Sequence, residues 1–284
     1  MLDKRCVNCF LKTYQRLFQK YKVSETQQRA FLAFFEHATS GENLKSTPEI
    51  QRNLNKTFCR IINIEDPFQQ EKDENNRTAL ELYNLWKPRV IEAENPFNLA
   101  LRLAIAGNIM DYGANSSFDI VQTINRVLQS KFAIDKSEML RDRLYNAQKV
   151  LFLGDNAGEI VFDRLFIETI MHGNITFVVR GAPTLNDVTL DDAVQVGMHY
   201  AADLISNGYD APSTILSRSS EEFHREYRTA DVIISKGQGN LEGLLNENDP
   251  RIFFLLMVKC DIVADLLGVN KGDFVVYNSD PSLN

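Results

Sequence analysis

The sequence predicts an α/β protein: a doubly wound, largely parallel sheet in its second half, with a helical region packed on it. Three observations carry this reading. Through about residue 148, apolar residues recur at helical spacing behind helix start signals. From Lys149 the texture changes to short continuous apolar runs: Val150–Leu153, Ile175–Val179, Asp203–Ile205, Asp231–Ile234, Ile252–Val258 and Phe274–Tyr277. Runs of that length without alternation read as parallel strands buried on both faces, joined by right-handed crossover helices.

The helices follow in order. Val7, Phe10, Leu11, Tyr14, Leu17, Phe18 and Tyr21 lie on one face of a helix over Leu2–Tyr21. Ser24 caps a second helix to about His37. Ser46 and Glu49 fit a capping box, with Pro48 in the first turn of a helix to about Ile62. Asp66-Pro67 and Asn95-Pro96 repeat one start signal, for helices to about Ala93 and Met110. Two more are expected near Ser117–Ser130 and Lys136–Gln148. The division is therefore a helical subdomain over residues 1–148 and an α/β domain over residues 149–284. No Pro/Gly/Ser linker separates them, so one integrated body with a cleft is expected.

Composition narrows the function. The chain has 31 Lys+Arg against 38 Asp+Glu, a net charge of -7. That balance, with no polybasic run, argues against a nucleic-acid or membrane-surface binder. No apolar stretch approaches the length of a membrane span, and the start is polar and amphipathic rather than a signal core. A cytoplasmic protein is expected. Four cysteines in 284 residues make no disulfide scaffold.

The chemistry gathers where the strands end, the place where open α/β sheets bind ligands. The first strand ends Gly154-Asp155-Asn156-Ala157-Gly158-Glu159, and the second ends Arg180 through Asn186-Asp187. The third ends Ser206-Asn207-Gly208, the fourth Lys236-Gly237-Gln238-Gly239-Asn240, and the Ile252–Val258 run ends Lys259-Cys260. Asp155, Asn156 and Asp187 offer hard oxygen ligands for a magnesium-type cation. Helix amides after Asn156 favour a phosphate, Gly158 allows close approach to the backbone, and Lys236 or Lys259 can supply a point charge. Neither a Walker A loop nor a dinucleotide G-x-G-x-x-G pattern is present. The four histidines lie in or beside helical stretches with no clear catalytic partner, and there is no G-x-S-x-G elbow. Cys6 and Cys9 share one side of the first helix, which leaves packing, redox or accessory-metal chemistry and structural zinc as readings; two thiolates alone do not complete a zinc site.

These motifs, in this order, resemble the damage-control phosphatases, a family first catalogued as a domain of unknown function. The resemblance extends to Cys6-x-x-Cys9, Asp66-Pro-Phe68 with Glu74-x-x-Arg77, and Gly107-Asn108-x-x-Asp111-x-Gly113. It covers nearly the whole chain, and the Cys-x-x-Cys start is similar to the stand-alone prokaryotic branch. It implies a Rossmann-like three-layer α/β/α core with a helical subdomain. It also implies a phosphatase of small phosphometabolites, such as sugar phosphates or phosphopantetheine-type compounds, using a divalent ion (Mg, Mn, Co or Ni). Carried over by position, Asp155, Asn156 and Asp187 match the metal set; Lys259, Gln238 and Asn240 match phosphate contacts, and Asn108 and Asp111 line the cleft. Glu159, Gly158 and Lys236 complete the expected substrate surroundings. The eukaryotic sugar-phosphate branch has an Asp-Leu-Asn-Tyr-Arg type turn where this chain has Gln238-Gly-Asn-Leu-Glu242, so that specificity does not carry over.

Hydrolysis would proceed by direct water attack or through an aspartyl-phosphate on Asp155. Two rivals are a S-adenosylmethionine-dependent carboxyl methyltransferase and a phosphometabolite-binding module without turnover. The turns offer hard-ion ligands and phosphate donors rather than an adenine slot, which favours hydrolysis.

Overall fold

In the computed structural model, residues 3–40, 46–107 and 117–280 are described. The helical spacing of the first half forms α1 (Lys4–Lys20), α2 (Glu25–Ser40), α3 (Thr47–Ile62), α4 (Gln69–Ile91), α5 (Pro96–Ala106), α6 (Ser117–Gln129) and α7 (Ser137–Asn146). The Ser46–Glu49 capping box starts α3, and the Asn95 side chain accepts the Asn98 amide at the start of α5. The Asp66-Pro67 signal works differently. Asp66 accepts the Phe68 amide at 2.8 Å and pairs with Lys72, so α4 begins at Gln69, three residues beyond Asp66.

Seven strands form one sheet: β1 (Ile134–Asp135), β2 (Val150–Leu153), β3 (Ile175–Val179), β4 (Asp203–Ser206), β5 (Val232–Lys236), β6 (Ile252–Met257) and β7 (Phe274–Asn278), in the order β1-β7-β6-β5-β2-β3-β4. The strands from β4 to β6 are parallel, in register from Val150 opposite both Ile175 and Val232. Their side chains alternate between two cores. Phe152, Phe177, Ile234 and Leu255 face α4, α5 and α8 (Glu159–Ile170), whereas Leu153, Val178, Ile233 and Phe254 face α10 (Glu221–Thr229), α11 (Gly237–Leu244) and α12 (Asp261–Leu267); a short α9 (Leu190–Gln195) lies between β3 and β4. This is a three-layer α/β/α, Rossmann-like arrangement.

β7 corrects the expectation of a parallel strand at Phe274–Tyr277: it runs antiparallel to β6. After α12 ends at left-handed Gly268, Val258 exchanges hydrogen bonds with Asp273 and Gly272, closing the loop at the carboxyl end of β6. The chain therefore re-enters the sheet from that same end, and an apolar run carries no information on direction. The two-residue β1, parallel to β7, was too short to show as a run and draws the sheet back to residues before 149.

The helices α1, α2 and α3 form their own cluster around Tyr14, Phe18, Phe31 and Phe58. Leu185, from the loop after β3, packs against this cluster. α3 also packs on α11, and Arg5 of α1 pairs with Asp265 of α12 at 2.9 Å. The N-terminal helices thus lie against the loops that leave the carboxyl ends of the strands. Among the described residues, no helix is long and apolar enough to cross a membrane.

Candidate functional site

The strand order reverses between β2 and β5, and the loops leaving β2, β3, β5 and β6 meet there. Backbone bonds zip the first two loops together. Asn156 and Asp187 form an isolated antiparallel bridge, the Val188 amide donates to the Asp155 carbonyl at 2.9 Å, and the Ala157 amide donates to the Asn186 carbonyl at 3.0 Å. Asp187, distant in sequence, is thereby set beside Asp155 and Asn156.

A buried arginine holds them. Arg180, the first residue after β3, donates from Nε to Asp187 Oδ2 at 2.6 Å and places Nη2 3.5 Å from Asp155 Oδ1. Its Nη1 donates to Asn240 Oδ1 at 3.0 Å and Thr214 Oγ1 at 3.3 Å. Asn240 in turn donates to the Gly154 and Lys236 carbonyls, so the β2, β3 and β5 ends are cross-braced. Gly237 lies at φ +76, and a Cβ there would fall 1.8 Å from Asp155 Oδ2. The turn into α11 thus needs glycine twice over, for its backbone and for the carboxylate seated on it.

Burial, with Asp187 and then Glu159 as like-charged neighbours, holds the Asp155 carboxyl well above the ordinary carboxylate value. Arg180 and Lys259 pull it the other way. Lys259 follows β6, and its amide donates to Gln238 Oε1 at 3.1 Å, while Gln238 Nε2 donates to Cys260 Sγ. Among the described residues, no three carboxylate, imidazole or thiolate groups converge into a ready-made metal cage. The set is two carboxylates and one amide oxygen, all hard donors, with an excess of buried negative charge. That chemistry fits a small divalent cation that keeps water and substrate oxygens in its shell.

Comparison with known proteins sets this site in a family. The model of the damage-control phosphatase ARMT1-like domain matches residues 2–275. The chain belongs to the damage-control phosphatase family. It is 32% identical over 276 residues to a damage-control phosphatase of Pyrococcus horikoshii, covering 95% of each chain. It is 33% identical over 244 residues to a damage-control phosphatase of Archaeoglobus fulgidus, covering 82% of this chain and 84% of that one. An uncharacterised protein of Methanocaldococcus jannaschii is 38% identical over 237 residues, 78% of this chain and 77% of its own. The crystal structure of a DUF89 family protein from P. horikoshii superposes with a TM-score of 0.90 at 29% identity, over 98% of this chain and 99% of that one.

Within this damage-control phosphatase fold, several expected substrate contacts are reassigned. Lys236 is fully buried, and its ammonium donates to Glu159 at 2.6 Å, Asp163 at 2.5 Å and the Ala104 carbonyl at 2.9 Å. All three donors are used, so it does not reach a substrate phosphate. Glu159 is equally buried in that cluster. The Gly158 amide is taken by Asn76 Oδ1 at 2.6 Å. The amides of Ala157, Ile160 and Val161 bond to Asn186, Asn156 and Gly158, so these are not offered to an anion. Asn240 is fully buried as a brace. Asn108 and Asp111 lie outside the described residues.

Three residues that matter escaped the sequence. Arg180 was visible only as the polar residue ending an apolar run. Asp163 sits on the apolar helix α8, where burial pushes its carboxyl up to about 7 against the pull of Lys236. Asn76 is one turn beyond Lys72, which pairs with Asp66 and Asp192; no periodicity marks it as the group that reaches Gly158. Cys6 is nearer the strand ends than its helix suggested: burial first, then Glu242 and Cys260, push its thiol up to about 11.

Proposed function

We propose that this chain hydrolyses phosphomonoesters of small cytoplasmic metabolites, with a Mg-, Mn-, Co- or Ni-type ion held by Asp155, Asn156 and Asp187. The carrying observation is the meeting of two buried carboxylates from different strand ends, with the Asn156 amide between them and Lys259 near Asp155. When bound, such an ion draws charge from the phosphate oxygens and polarises the phosphorus centre.

The chain's own residues do the rest. Arg180 keeps Asp155 and Asp187 from drifting apart under their mutual repulsion. Lys259, its backbone fixed by Gln238, donates to phosphate oxygens as a point charge. The first-turn amides of α11 at Gln238 and Gly239 find no acceptor among the described residues. They take the phosphate role expected of the amides after Asn156. Residues 1–148 serve as a helical cover and residues 149–284 as the domain that carries the site. The relatives named damage-control phosphatases support this reading.

Turnover of p-nitrophenyl phosphate should appear on adding Mn²⁺ and vanish with a chelator. Full turnover after chelation, with no metal by elemental analysis, would refute the reading. Methyl transfer from S-adenosylmethionine without phosphate release would favour the rival instead.

A further inference from the structure

We propose that Glu159 is a positioning residue that fixes the side-chain amide of Asn156 with its oxygen toward the ion; this rests on the metal reading above. Asn156 Nδ2 donates to Asp155 Oδ2 at 2.8 Å and to Glu159 Oε2 at 3.3 Å. Both amide N–H groups are thereby committed to carboxylates, and Oδ1 accepts no hydrogen bond among the described residues. Turning the amide over would set its oxygen against two carboxylates and leave two buried donors unmade, a costly arrangement at 3% exposure. An amide can ligate a hard cation only through oxygen.

Glu159 has its own anchor. It stands three residues after Asn156, in the first turn of α8, and its other oxygen, Oε1, accepts from Lys236. Lys236 can only donate, so Oε1 must remain an acceptor. The line Lys236 to Glu159 to Asn156 therefore passes a fixed polarity from a sealed cluster to the edge of the site. Asp155 and Glu159 act together, each accepting from the Asn156 NH₂ group, so that losing either weakens the preference.

The test is Mn²⁺ binding by calorimetry to the full chain. In Glu159→Gln, Lys236 claims the introduced carbonyl, and the introduced amide NH₂ faces Asn156. Asn156 then keeps only Asp155 as an acceptor for its NH₂ and meets a donor where Glu159 accepted, so the orientation of its oxygen toward the ion is weakened. Mn²⁺ affinity should fall roughly 10- to 100-fold, the scale for losing an outer-shell partner, with the unfolding temperature little changed. An Asn156→Asp background offers oxygen on both sides, so there Glu159→Gln should cost less than about 3-fold, well below that scale. Equal losses in both backgrounds, or no loss in the parent, would overturn the proposal while leaving the metal reading standing. A parent chain that binds no Mn²⁺ would instead remove the metal reading. If Glu159→Gln does not fold, the apolar pair Glu159→Leu/Lys236→Met tests the same pattern. It should lose Mn²⁺ affinity in the Asn156 background and not in the Asn156→Asp background; equal behaviour in the two would count against the proposal.

Discussion

Two acid clusters flank the turn from β2 to α8, and each sets two carboxylates against one buried cation. On one side Arg180 faces Asp155 and Asp187; on the other Lys236 faces Glu159 and Asp163. They answer the same charge problem differently. The Lys236 cluster is sealed at 0% exposure, its ammonium saturated, and Asp163 is pushed up to about 7, so a proton balances the excess acid. The Arg180 cluster opens toward half-buried Lys259 and Gln238; burial and Asp187 likewise hold the Asp155 carboxyl well above its ordinary value, but there a cation from solvent can take the place of the proton. Charge ratio alone does not separate frame from site. What separates them is whether the last neutralising charge can arrive from outside.

The strongest way to break this comparison is to remove each cation. Arg180→Leu and Lys236→Met should each cost about 3–5 kcal/mol in urea unfolding, since each leaves buried carboxylates without a partner. Millimolar Mn²⁺ should return part of the Arg180→Leu loss and none of the Lys236→Met loss beyond the gain seen in the parent. Equal rescue of both would mean that the clusters are not distinct in kind.

A smaller effect sharpens the sealed side. The folded state holds the Asp163 proton up to about 7, against the ordinary aspartate value of 3.8. Between those values the native state binds a proton that the unfolded chain has lost. The stability contributed by this group is complete below the lower value and disappears as pH rises through the upper one. Asp163→Asn removes that dependence. The parent's stability relative to the variant should therefore decline between pH 5 and 7, by at most about 1.4 kcal/mol per pH unit. A flat difference over that window would show that Asp163 is ionised throughout.

The sequence was most informative where strands begin and end. Five of the runs are the parallel strands β2 to β6; the inner four, β2, β3, β5 and β6, are buried on both faces and read as mostly apolar, whereas edge strand β4 is half-buried and showed only a short run. The polar turns after β2, β3, β5 and β6 were equally visible, and the topology brings Asp155, Asn156 and Asp187 together. Which basic residue does what was not visible. Lys236 and Lys259 both follow apolar runs, yet Lys236 lies beneath the sheet's α8 face and Lys259 at the margin. That difference is set by which way the last side chain of a strand points and by the acids waiting on α8. Arg180 and Asn76 act across loops, through contacts with no sequence period.

The central claim is a division of labour: carboxylates for the cation, Lys259 for the phosphate. Isothermal titration with Mn²⁺, and then with inorganic phosphate, tests it directly on Asp187→Asn and Lys259→Met. Asp187→Asn should weaken Mn²⁺ binding, with turnover partly restored at high metal. Lys259→Met should keep Mn²⁺ affinity, bind phosphate more weakly and turn over about 10²- to 10³-fold more slowly, the scale of one preorganised charge contact. Loss of Mn²⁺ affinity in Lys259→Met with retention in Asp187→Asn would contradict the account.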